Sequence, residues 1–120
     1  MDYAVRRRRL RARMNRAGLD GFLAVEPANV SYLSGFRGET GWLLVSSRSA
    51  VLFTDFRFRE QASREAGPAV RVREAGSEGL SGATAAFCRR SGLRRIGLEG
   101  EAIPRGSWRA SGQASRSIRA

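Results

Sequence analysis

The stretch Asn29-Val30-Ser31-Tyr32-Leu33-Ser34-Gly35-Phe36-Arg37-Gly38-Glu39-Thr40-Gly41 decides how the rest of the chain is read. Just ahead of it, Glu26-Pro27-Ala28 breaks an apolar run. Proline suits the first turn of a helix, where its missing N–H would have no partner anyway. Val30 and Leu33 then share an inner face with Tyr32 alongside, and Gly35 is a natural stop. Residues 36–41 read as an exposed loop in which Gly38 and Gly41 allow positive φ or close approach of another backbone.

Working outward, residues 42–45 and 50–54 are apolar runs joined by Ser46-Ser47-Arg48-Ser49, the pattern of a β-hairpin. Upstream, residues 19–25 form a short apolar strand. Before it, residues 2–17 make an amphipathic helix with Tyr3, Leu10, Met14 and Ala17 on one face, arginines elsewhere, and a stop at Gly18. Downstream, Thr54-Asp55 can cap a helix whose inner face holds Phe58, Ala62 and Ala66, with Glu60 and Arg64 four apart on the wet face. Gly67-Pro68 ends it. Residues 69–74 alternate Val70 and Val72 with Arg71 and Arg73, as a half-solvated strand does. A helix over about 84–90 and a strand over 95–99 follow, and residues 104–120 have neither helical nor strand periodicity. The alternation of helices and strands predicts a single α/β domain over residues 1–100, a mixed β-sheet flanked by helices, with an irregular Arg/Ser/Gly tail over 101–120.

At 120 residues and 42% apolar, the chain is long enough for one buried core. All 22 basic residues are arginine, which points to GC-rich coding, and the net charge is +11. Seven arginines lie in residues 1–20 and four in 101–120, while the middle of the chain sets eleven against eight acids. The basic first segment admits a nucleic-acid arm, a membrane-surface helix or a transit segment. An ordinary surface helix is the simpler reading, because the segment runs straight into a strand with no spacer. With no apolar run of about 20 residues and no leader, the expected setting is soluble and cytoplasmic. The single cysteine, Cys88, cannot form an internal disulfide and reads as a small buried residue beside Phe87.

The chain contains no histidine and no lysine. A serine or cysteine nucleophile usually needs a histidine base, and catalytic zinc usually needs histidine ligands, so both chemistries are disfavoured. No Walker-type phosphate loop exists without lysine, and no Gly-x-Gly-x-x-Gly follows a strand. The acids are scattered without metal-ligand spacing. Asp55, at a strand-to-helix junction two residues before Arg57, reads as a cap and an ion pair.

Three ordered segments carry a family resemblance: Asn29-x-x-Tyr32-Leu33-Ser34-Gly35-Phe36, then Gly41-x-Leu43-Leu44-Val45, then Leu52-x-Thr54-Asp55-x-Arg57-Phe58-x-Glu60-Gln61-Ala62. Together with Leu10-Arg11-x-x-Met14, Gly18-Leu19-Asp20 and Ile96-Gly97-x-Glu99, they resemble the N-terminal domain of the creatinase, prolidase and Xaa-Pro aminopeptidase family. The resemblance spans roughly residues 6–100, and Phe58 stands where tyrosine is common. It implies a ribonuclease H-like mixed sheet, the non-catalytic partner of a "pita-bread" metallopeptidase domain. That catalytic domain binds two manganese, cobalt or zinc ions through aspartates, glutamates and a histidine. It cleaves the bond before proline or, in the creatinase branch, hydrolyses creatine.

None of those ligands can be carried over to these residues, so the resemblance implies no catalytic residue, no metal ligand, no cofactor and no enzyme activity of the chain on its own. It implies self-association and a catalytic domain or subunit as partners. Phe36, Arg37, Gly38, Glu39 and Thr40 match a loop that meets a neighbouring subunit and its substrate access. Asn29, Tyr32, Gly35, Gly41, Asp55, Arg57 and Glu60 match structural positions of the family motif. The alternative, a basic nucleic-acid-binding module, is disfavoured because the aromatics are not interleaved with arginine as a stacking platform requires. The tail after Glu99 departs from the family pattern, as a truncated or frameshifted gene, a fragment or a stand-alone domain would.

Overall fold

A computed structural model describes residues 2–99 together with the strand Arg116–Ser117. The elements in chain order are α1 (Tyr3–Ala17), β1 (Gly21–Ala24), α2 (Pro27–Ser34), β2 (Trp42–Ser46), β3 (Ala50–Thr54), α3 (Arg59–Glu65), β4 (Arg71–Glu74), α4 (Gly79–Ser91), β5 (Ile96–Leu98) and β6 (Arg116–Ser117). The strands form one sheet in the order β4-β3-β2-β1-β5-β6. The β1–β2 and β2–β3 pairs are antiparallel, whereas β1–β5, β3–β4 and β5–β6 are parallel. The expected mixed α/β sheet is therefore the observed one. Of the tail expected to be irregular, only β6 falls within the described residues.

The central strands read as unbroken apolar runs because both their faces are covered. Phe22, Ala24, Leu43, Val45, Ala50 and Leu52 point to a core shared with Leu10 and Met14 of α1, Val30 and Leu33 of α2, and Ala62 of α3. Their neighbours Leu23, Leu44, Val51, Phe53 and Ile96 point the other way, to Phe87 and Cys88 of α4. This is the period-2 alternation of a pleated strand. Three helices thus pack on one face and one on the other.

Local stops fall where backbone chemistry places them. Gly18 and Gly35 take left-handed conformations at φ +72° and +89°, closing α1 and α2.

Several expectations are corrected. Arg7, grouped with the solvated arginines, is only 5% exposed and donates from Nη1 to the Leu33 carbonyl at 2.8 Å. The arginine stem lies along apolar surface while its head satisfies the last turn of α2. The last helix begins at Gly79, not near residue 84, because Leu80 packs against the α4 core and outweighs the low helix propensity of Gly79 and Gly82. Asp55 does not cap α3, whose N-cap is Phe58 with no side-chain bond. Glu60 and Arg64 form no ion pair, whereas Asp55 pairs with Arg57 and Arg59 with Glu74.

Candidate functional site

The strand directions bring the C-terminal ends of β1, β3, β4 and β5 to the same end of the sheet as the start of β2. Open α/β sheets present their connecting loops for binding at this end. Four pieces of chain meet there: the start of α2, the loop 36–41, the turn 55–58 and Glu99.

The loop and the turn are locked together around Phe36. That ring, expected on an exposed loop, is 1% exposed and belongs to the core. It meets Phe58 edge-on, with centroids 6.4 Å apart and planes at 80°. A Cβ on Gly38 would lie 2.3 Å from Phe36 Cζ, and one on Gly41 would lie 2.7 Å from Cε2. The two glycines are therefore present to let the loop wrap a ring. Neither has positive φ. Thr54 donates its hydroxyl to the Thr40 carbonyl, joining the loop's end to the end of β3. The Arg37 N–H donates to Glu65 Oε1 at 2.8 Å, joining its start to α3.

The outward side of this assembly carries charge and one large apolar group. Asp55 accepts from the Arg57 backbone at 3.0 Å and pairs with its guanidinium at 2.7 Å. The hydrogen bonds from Arg57 hold the Asp55 carboxyl below the usual carboxylate range. Arg57 is raised in turn, first by that bond and then by the charges of Asp55 and Glu39. Arg37 and Glu39 are exposed, and Phe56 at the tip of the turn is 75% exposed. Gly38 and Thr40 are half-buried.

The remaining motif positions are dispersed around this centre. Asn29 lies beside the Glu99 carboxyl, and its side chain favours the charged form. Tyr32 is exposed under the Arg6 guanidinium, 4.2 Å from the ring centroid, while Arg6 also donates to the Tyr32 carbonyl at 2.9 Å. Gly35 lies against Tyr3 and the Glu65 carbonyl. Glu60 points to solvent from α3.

Sequence reasoning missed Glu99 as a connecting group. The spacing that could have revealed it is its place at the end of a strand parallel to β1. Cys88 is fully buried, and burial pushes its thiol up to about 12, which leaves no thiolate for chemistry near neutral pH. Among the described residues, no group of three or more His, Cys, Asp or Glu side chains is gathered for a metal ion. No described helix is long and apolar enough to cross a membrane.

Residues 6–113 match the family model for the creatinase/prolidase N-terminal domain. The peptidase YqhT of Bacillus subtilis (strain 168) is 32% identical over 100 residues, which is 83% of this chain and 28% of that protein. The chain thus spans a little over a quarter of that relative's length. The N-terminal domain of the cytoplasmic peptidase PepQ from Mycobacterium tuberculosis H37Rv superposes with a TM-score of 0.80 at 33% identity, covering 97% of this chain and 92% of that one. The X-Pro aminopeptidase of Thermotoga maritima MSB8 superposes with a TM-score of 0.80 at 25% identity, over 94% of this chain and 33% of that protein.

Proposed function

The chain belongs to the creatinase/prolidase N-terminal domain family, and from that premise we propose that it is the non-catalytic, assembly-forming domain of a peptidase acting on Xaa-Pro bonds. Catalysis and its metal ions belong, on this reading, to a separate domain or subunit. The loop Arg37–Gly38–Glu39–Thr40 and the turn carrying Phe56 form the surface that meets a second subunit and borders the path to its active site. Phe36 holds that loop from beneath. The cytoplasm is the proposed setting, in keeping with the PepQ relative.

The observation that carries the reading is the exposure of Phe56, 75%, on a turn fixed from both sides. A large apolar group held rigidly at a surface loses little conformational freedom on docking and gains the burial of its ring. Sedimentation velocity over a range of concentrations tests it. Wild-type chain should associate, and Phe56→Ser combined with Glu39→Arg should weaken association while leaving the melting temperature unchanged. Assembly indifferent to both substitutions would overturn the assignment of this surface. Separately, purified chain supplied with manganese should leave an Xaa-Pro peptide intact, and metal-dependent turnover that follows the chain through purification would overturn the non-catalytic role.

A further inference from the structure

A groove of about 450 Å³ runs between α1 and the β2–β3 turn, away from the loop and turn described above. Its polar lining is Arg8, Arg11, Asn15 and Ser47, and Met14 and Leu19 form its apolar floor. Arg8, Arg11 and Asn15 are spaced three and four apart, so they stand along one ridge of the helix. Arg11 is fixed in place: its Nε donates to the Ser46 carbonyl at 2.7 Å and its Nη2 to the Ser49 carbonyl at 3.1 Å. That leaves Nη1 uncommitted. The side chains of Arg8, Asn15 and Ser47 make no hydrogen bond or ion pair among the described residues. Arg7 lies behind Arg11, and burial followed by the Arg7 charge pushes the Arg11 guanidinium down. The groove therefore holds positive charge with no acid in its lining.

We propose that this groove binds one phosphate monoester group, held between Arg8 and Arg11 with Ser47 and Asn15 donating to its remaining oxygens. Two guanidinium groups, a hydroxyl and an amide offer more donors than a carboxylate has room to accept, and they suit an oxyanion with three terminal oxygens. A concave site of this volume has room for the phosphate and the small organic group that it esterifies, whereas tracking a nucleic-acid backbone calls for an extended basic track. The monoester could be carried by a soluble metabolite or by a lipid headgroup, and the two are separable by experiment.

The test is a titration of isotope-labelled full chain, followed by NMR at the Arg8 and Arg11 Nε–H and the Ser47 amide. The probes are inorganic phosphate, glycerol phosphate and vesicles containing phosphatidic acid, at ionic strength held constant with sodium chloride. Saturable shifts with glycerol phosphate or phosphate are expected for a soluble ligand. A saturable, Arg8-dependent response to vesicles alone assigns the monoester to a lipid. In either case Arg8→Gln should weaken binding by about tenfold, the loss of one charge-assisted hydrogen bond. Arg13→Gln, on the same helix but outside the groove, should leave affinity within about twofold. Shifts that follow ionic strength alone, or equal losses in the two variants, would overturn the proposal.

Discussion

Glu99 accepts the backbone N–H of Glu26 on both carboxylate oxygens, at 3.1 and 2.9 Å, and takes the Val25 N–H at 2.7 Å. The helix α2 opens at Pro27 with no side-chain cap from its own N-cap residue. A carboxylate from the end of β5, 73 residues away, supplies that satisfaction and fastens β5 to the turn between β1 and α2.

Replacing Glu99 with alanine strands two part-buried N–H groups, and the expected loss is about 1–2 kcal/mol in urea denaturation. The pH dependence has a definite sign. Burial raises the Glu99 carboxyl above its ordinary value of 4.5, against the pull of the hydrogen bonds from Glu26 and Val25 and of the Asn29 side chain. A folded-state value above the unfolded one means that the contribution to stability is complete below the unfolded value and is lost as pH rises through the folded one. Glu99→Gln cannot titrate at this position. The stability gap between wild type and Glu99→Gln should therefore move against the wild type as pH rises from 4.5. A gap independent of pH would show that burial does not govern this carboxyl.

Gly38→Ala tests the wrapped ring. Backbone strain plays no part there because φ is not positive, so the whole effect is the collision with Phe36. Overpacking of this kind costs about 1–3 kcal/mol. In a Phe36→Leu background the collision has less to strike, so the two substitutions should couple by more than about 0.5 kcal/mol in a double-mutant cycle. Additive losses would mean that the loop accommodates the methyl by moving away from the ring.

These contacts mark the limit of what was legible in the sequence. The hairpin was readable because two apolar runs flank a polar turn, and the ends of α1 and α2 because Gly18 and Gly35 follow amphipathic segments. Those are signals within a few residues. Phe36 looks like a loop tip in the sequence because it is a lone aromatic between glycines, and contacts distant along the chain, Phe58 among them, make it a core residue. Arg7 is one arginine in a row of four and carries no local mark of burial. The pairing of loop with turn depends on Thr40 meeting Thr54 through strand register, which no local pattern encodes.

Glu65 should control the order of the loop. Its carboxylate takes the Arg37 N–H and the Gln61 amide, and the bond from Arg37 leads the causes that hold it below its ordinary value. A depressed folded-state value means the contribution is present above the unfolded value and is lost as pH falls through the folded one. Amide exchange at Arg37, corrected for its intrinsic pH dependence, should therefore gain protection with rising pH through the carboxylate range. Glu65→Ala should remove that change while the exchange of β2 and β3 stays slow. Equal protection of Arg37 in the variant would show that the loop is held by Phe36 and Thr54 alone.

Arg7 offers the sharpest separation of charge from packing. Its stem fills space between α1 and α2, and its guanidinium satisfies the Leu33 carbonyl, one of the last-turn carbonyls that α2 cannot satisfy internally. Arg7→Met keeps most of the stem and removes the donor. The carbonyl then loses its partner, and the expected cost is about 1–3 kcal/mol. Arg7→Ala adds a packing defect to the same loss and should be worse. Arg7→Lys retains a charge and a donor but not the fixed fork geometry, so it should fall between wild type and the methionine variant. Urea midpoints read at constant pH give the order directly. A methionine variant as stable as the wild type would mean that desolvating the guanidinium costs as much as its bond to Leu33 returns, leaving the stem as the part of Arg7 that holds α1 to α2.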